Sequence, residues 1–122
     1  RGIYLGLENH GGITARVADH LAICDAVGKH PWFGVNLDTG NYRTNAYDEL
    51  AQAAPRAVNV QIKASIFTSD GGPKVLADMG RIKKILLDAQ YRGWIALEYE
   101  DAEDPYLAVP RYIKQMKELF EA

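Results

Sequence analysis

The sequence predicts an α/β fold of four βα units, with parallel strands and helices along one side: (βα)4, half of an eight-unit barrel. Three observations predict it. Four short apolar runs are separated by segments long enough to hold a helix that returns the chain to the start of the next strand. Each run alternates an aliphatic side with a small-or-polar side, so helices are expected to cover only one face. Each run also closes on a side chain that can bind a hard metal ion: IYLGLE at Glu8, FGVNLD at Asp38, VNVQ at Gln61 and WIALE at Glu98.

The strands are expected near residues 2–8, 32–38, 57–63 and 93–99. Residues two apart in a strand share a face. Tyr4 and Gly6 therefore side with Glu8, Gly34 and Asn36 with Asp38, Asn59 and Lys63 with Gln61, and Trp94 and Ala96 with Glu98. The opposite face carries Ile3, Leu5 and Leu7, then Phe33, Val35 and Leu37, then Val58, Val60 and Ile62, then Ile95 and Leu97. This second face is the one helices should bury. The first suits a barrel interior, with Trp94 filling its lower layer.

Between the strands, Thr14 is placed as the N-cap of a first helix marked by Val17, Leu21, Cys24 and Val27, with Gly28 after it. Asn45 caps a shorter helix from Ala46 to Ala53, stopped by Pro55. Val75, Met79, Ile82, Ile85, Leu86 and Ala89 mark the third helix. Asp104-Pro105 opens the last, striped by Val109, Ile113, Met116 and Phe120, with a break or late start at Pro110. The order βαβαβαβα implies parallel strands joined by right-handed crossovers.

Composition narrows the function. The chain has 122 residues, 48% hydrophobic and 25% charged, and reads as one domain over 1–122. A formal charge of -2 gives no reason to expect nucleic acid or an anionic membrane as partner. No stretch approaches the ~20 apolar residues of a membrane span. The single cysteine, Cys24, has no intrachain partner and is compatible with a reducing compartment, so a cytoplasmic location is expected, with secretion left open.

Four oxygen ligands at the same ends of four parallel strands converge, and strand C-termini are where barrels keep their active sites. Glu8, Asp38, Gln61 and Glu98 are accordingly the expected ligands of one divalent metal ion. The all-oxygen set favours Mn²⁺ or Mg²⁺, with Co²⁺ and Zn²⁺ as alternatives. Without a cation, three clustered carboxylates would repel one another, and at least one would take up a proton. Lys63, two residues beyond Gln61 on the same face, offsets the charge and is a candidate substrate contact. His10, in Glu-Asn-His-Gly-Gly, is another. Glu100 shares the parity of Glu98 and is the rival ligand, read as solvated. His20 is read as structural or exposed, and His30, at a strand entry, lies away from the site. Gly71-Gly72 lacks the pattern of a phosphate loop.

At LENHGG (7–12), LDTGNY (37–42), VNVQIKA (58–64) and YRGWIALEYE (91–100) the chain resembles the xylose-isomerase-like superfamily, specifically the sugar phosphate isomerase/epimerase type of barrel. The likeness runs through the whole chain and maps it onto the C-terminal half of such barrels. The resemblance implies that the same four side chains bind the metal, and that Glu8 and Glu98 face each other across the substrate as an acid/base pair. It also implies a metal-dependent isomerase or epimerase of a keto-sugar or related polyol. Alternatives are a dehydratase or lyase of a keto-sugar, keto-glycoside or cyclitol on the same metal site and, further off, a non-catalytic sugar-binding barrel or a repair endonuclease. The endonuclease would need a histidine-rich zinc site and a basic surface, against three histidines and an acidic balance here. Two positions depart from the family: Gln61 stands where histidine is common, and Asn41, a candidate substrate contact, where some epimerases have histidine. A half barrel leaves two open edges, so the chain is expected to be a fragment completed by a missing N-terminal half or by a second copy.

Overall fold

The computed structural model describes residues 2–121. Four strands form one parallel sheet: β1 (Leu5–Glu8), β2 (Phe33–Asp38), β3 (Ala57–Ile62) and β6 (Ile95–Leu97), in the spatial order β1-β2-β3-β6. Four helices connect or follow them: α1 (Val17–Val27), α2 (Ala46–Ala53), α3 (Met79–Asp88) and α4 (Pro105–Phe120). The core lies between the sheet and these helices. Val35, Leu37, Val60 and Ile62 bury one sheet face against Cys24, Tyr47, Leu50, Ile82, Leu86 and Met116. No helix among the described residues is long and apolar enough to cross a membrane.

The other sheet face, expected as a barrel interior, carries the polar side chains and is largely open. Trp94, expected to fill its lower layer, is 86% exposed, because nothing in the described chain faces it. Tyr4 is also exposed and leans on Trp32, with ring centroids 5.0 Å apart.

The strands are shorter than alternation alone implies. β1 begins at Leu5 rather than residue 2, because β2, its only neighbour among the described residues, supplies partners from Trp32 onward, the Leu5 N–H donating to the Trp32 carbonyl at 2.8 Å. β6 is confined to three residues, although the Trp94 carbonyl and the Glu98 N–H still bond to Val60 and Ile62 of β3.

One residue departs from the expected face. Val35 pairs with Ala57, but Asn36 pairs with Asn59, so β3 carries an extra residue at Val58. The bulge turns Val58 away from Val60 and Ile62. Its methyl groups lie over Gly6 and Gly34: a Cβ on Gly34 would come within 2.4 Å of Val58 Cγ1, and one on Gly6 within 3.3 Å of Val58 Cγ2. Beyond the bulge the polar faces of β2 and β3 are in phase, with Asp38 beside Gln61.

Thr14 does not cap α1; it sits in a short 3-10 turn, Gly12–Thr14, where its hydroxyl accepts from the His10 N–H and donates to the Gly11 carbonyl. Arg16 holds the N-cap position instead, and Gly28 ends the helix at φ 80. Asn45 is the N-cap residue of α2, but the capping oxygen belongs to Glu49, which accepts from the Thr44 and Asn45 N–H groups. Val75 lies outside the third helix, in a β-hairpin that the helical spacing concealed: β4 (Ser65–Phe67) pairs antiparallel with β5 (Lys74–Leu76). Gly71-Gly72 serves its turn. Asp104 caps α4 as expected, accepting from the Tyr106 N–H. The helix then continues through Pro110 without a break, because Pro110 is exposed and its missing hydrogen bond falls on the solvent side.

Candidate active site

Glu8 is the last residue of β1 and Asp38 the last of β2, while Glu98 follows β6 directly. Parallel pairing with common phase brings these ends together. The three side chains each offer a carboxylate oxygen within 4.8 Å of the others. Such a cluster is held against its own repulsion only by donors and cations around it.

Asp38 is the most constrained member, with 0% of its surface exposed. Its backbone is clamped by Asn9, whose side chain donates to the Asp38 carbonyl at 2.8 Å and accepts from the Asp38 N–H at 2.9 Å. One carboxylate oxygen, Oδ1, accepts from the Gly40 N–H at 2.8 Å. The other, Oδ2, is buried without a hydrogen-bond partner. Burial pushes the Asp38 carboxyl up to about 7; the Gly40 N–H and the Lys63 ammonium oppose the shift, and the charge of Glu98 adds to it.

Gln61 reaches the cluster through its amide nitrogen, which donates to Glu98 Oε2, while its oxygen accepts from Asn36 Nδ2. Asn36 also donates to Glu8 Oε2 at 3.3 Å and accepts from Asn59 Nδ2 at 2.8 Å. A line of amides thus ties β3 to β2 and to the carboxylates at both edges of the sheet. Alternation placed Asn36 and Asn59 on this face, but their role depends on which strand lies next to which.

Lys63 is 2% exposed. Its ammonium lies 2.8 Å from Glu98 Oε1, 2.5 Å from Glu100 Oε2 and 3.4 Å from Asp38 Oδ2. Burial alone would lower its pKa; the bonds to Glu100 and Glu98 and the charge of Asp38 overcome that and raise it. Its backbone N–H donates to Thr39 Oγ1 at 2.8 Å. Glu100, read from sequence as solvated, is half exposed yet paired with Lys63, and that bond draws its carboxyl below the ordinary value, with weaker help from Lys74 and His10.

His10 is exposed on the loop after β1. Asn41 is half-buried, and its Nδ2 has no partner, a free donor in the loop after Asp38. His20 is structural: wholly buried, it contacts the Leu7 carbonyl at 3.1 Å and the Tyr42 hydroxyl at 2.8 Å. A carbonyl only accepts, so Nε2 carries the proton and Nδ1 accepts from Tyr42. His30 is exposed at the entry to β2.

Three carboxylates, one with a buried oxygen that accepts no hydrogen bond, form a donor set that suits a hard divalent cation. Two of them, Glu8 and Glu98, lie at the two edges of the sheet and remain partly accessible.

Residues 1–116 match the family described as xylose isomerase-like TIM barrel. Among solved structures, the chain is similar to a xylose isomerase domain protein from Planctomyces limnophilus, with a TM-score of 0.68 and 19% identity, covering 98% of this chain and 47% of that one. It is also similar to an L-ribulose 3-epimerase, with a TM-score of 0.62 and 19% identity, covering 91% of this chain and 39% of the other. The chain therefore spans less than half the length of either structure. No curated protein matches it.

Proposed function

The chain belongs to the xylose isomerase-like TIM barrel family, and from that premise we propose that its carboxylate cluster carries out metal-assisted proton transfer on a keto-sugar or related polyol, as an isomerase or epimerase. One observation carries the reading: Glu8, Asp38 and Glu98 bring carboxylate oxygens together, and the buried Asp38 Oδ2 has no hydrogen-bond donor, only the Lys63 ammonium 3.4 Å away. The similarly folded epimerase belongs to the same reaction class.

Glu8, Asp38 and Glu98 would hold the ion, Mn²⁺ or Mg²⁺ by donor chemistry, with Gln61 joining through its amide oxygen if the side chain turns over. When bound, such an ion polarises neighbouring substrate oxygens and acidifies the C–H between carbonyl and hydroxyl. Asp38 is the fixed anchor. Glu8 and Glu98 take and return the proton from opposite sides. His10 contacts substrate oxygens at the rim, and Asn41, whose Nδ2 is buried without a partner, joins it by turning that donor outward. The open face bearing Tyr4, Trp94 and the asparagines would be covered by further βα units, or by a second copy, to complete a pocket.

The test uses protein made from the full reading frame, incubated with keto-pentoses and keto-hexoses in D₂O with Mn²⁺. Deuterium should enter the carbon beside the carbonyl, and Glu8→Gln and Glu98→Gln should each abolish it, because an amide cannot act as base. His10→Ala should raise KM more than it lowers kcat. Normal exchange in both glutamine variants, or no exchange with any ketose, overturns the proposal.

A further inference from the structure

Lys63 is not a peripheral charge. It is buried, it contacts Glu98 and Glu100 and lies 3.4 Å from Asp38 Oδ2, and its stem passes against Gly40, where a Cβ would come within 2.6 Å of Lys63 Cγ. Two of its three acidic neighbours, Asp38 and Glu98, belong to the convergent trio. The third, Glu100, does not, and lies out on the rim with half its side chain exposed. A single ammonium therefore spans the inner cluster and an outer carboxylate.

We infer that Lys63 is the resident counter-ion of the cluster, that it competes with a divalent ion for the oxygens of Asp38 and Glu98, and that Glu100 holds the ammonium when it yields. The inference rests on the proposed metal reading and deepens it by naming what sets affinity. Like charges a few ångströms apart in a partly buried site repel strongly, so an ion entering beside an unmoved Lys63 would be disfavoured. The flexible stem lets the ammonium shift toward Glu100 without leaving the protein, whereas a planar guanidinium would not reposition as readily. The result is a site that binds the ion weakly enough for exchange.

Mn²⁺ affinity, read by titration calorimetry on protein from the full reading frame, tests this directly. Lys63→Met keeps the stem and removes the charge; it should bind Mn²⁺ about tenfold or more tightly than the unsubstituted protein. Glu100→Gln, at an exposed position that does not threaten folding, should bind several-fold more weakly. In the double variant the Glu100→Gln effect should vanish, because Glu100 acts through Lys63. Equal affinity in the unsubstituted protein and Glu100→Gln, or a Glu100→Gln effect that persists undiminished in the Lys63→Met background, overturns the inference alone. Absence of Mn²⁺ binding in every variant overturns the metal reading beneath it.

Discussion

The Asn36 amide donates to the Gln61 oxygen, and that bond turns the Gln61 nitrogen toward Glu98. Asn36 thereby orients a residue on a neighbouring strand and, through it, a carboxylate on the strand beyond. It is a positioning residue, with the Asn59 amide fixing its own orientation.

Asn36→Ala should lower the rate of proton exchange about tenfold or more, with a smaller change in KM, because it loosens Glu8 and Glu98 without removing either. Asn36→Asp, of the same shape, replaces the donor with an acceptor facing Glu8 and should be worse than alanine. Steady-state kinetics on the two variants decide the point; an effect on KM alone would show that the amide line does not position the carboxylates.

Gly40→Ala should destabilise the fold by about 1–3 kcal/mol. Its Cβ would meet Lys63 Cγ at 2.6 Å, Lys63 Cβ at 2.8 Å and the Ser65 carbonyl at 2.9 Å. The last of these is backbone and cannot swing aside. Denaturant unfolding measures the loss, and a stability unchanged from the parent would contradict the close approach.

His20 gives a pH signature. Burial lowers its pKa, opposed by its bond to Leu7, so on acidification the unfolded chain takes up a proton before the folded one. Its contribution to stability is complete above the ordinary histidine pKa and is lost as pH falls through that range. Asp38 acts with the opposite sign: raised to about 7, it costs stability as pH rises from the ordinary carboxylate range toward 7. Comparing the protein with His20→Gln isolates the histidine, since Asp38 is common to both. The stability gap between them, about 1–3 kcal/mol at pH 7.5 from the lost buried hydrogen bonds, should narrow at pH 5.5. A gap independent of pH would mean that His20 does not titrate differently in the two states.

Pro110→Ala should stabilise α4. Alanine restores an N–H one turn after Tyr106 and has the higher helix propensity, a gain of about 1–3 kcal/mol less the entropy proline removes from the unfolded chain. Thermal unfolding reads it as a higher Tm.

Much of this was legible before the structure because it depends on local alternation. Glu8, Asp38, Gln61 and Glu98 lie at or beside the C-terminal ends of their strands on one face, and the aliphatic residues Val35, Leu37, Val60 and Ile62 form the core on the other. What alternation cannot carry is register between strands far apart in sequence. Asn9 clamping Asp38, 29 residues away, and Asn36 bridging Glu8 and Gln61 required knowing the neighbours. Lys63 was placed on the correct face, but its contact with Glu100 depends on how the chain leaves β6. The β4–β5 hairpin did have a sequence signal, Ser-Asp-Gly-Gly-Pro between the apolar pairs Ile66-Phe67 and Val75-Leu76. The helical spacing of Val75 with Met79 outweighed it.

The bulge at Val58 has a consequence for how this strand tolerates length change. Ala57 already pairs with Val35 and Asn59 with Asn36, so removing Val58 would join two segments whose pairings are consecutive on β2. Asn59, Gln61 and Lys63 would keep their frame and their face. Only the methyl groups over Gly6 and Gly34 would be lost, leaving a void at the bottom of the sheet rather than a scrambled site. A deletion one position later would instead remove an amide from the line that holds the carboxylates. Within the polar-faced half of β3, Val58 is thus the residue at which an indel is a packing event and not a chemical one.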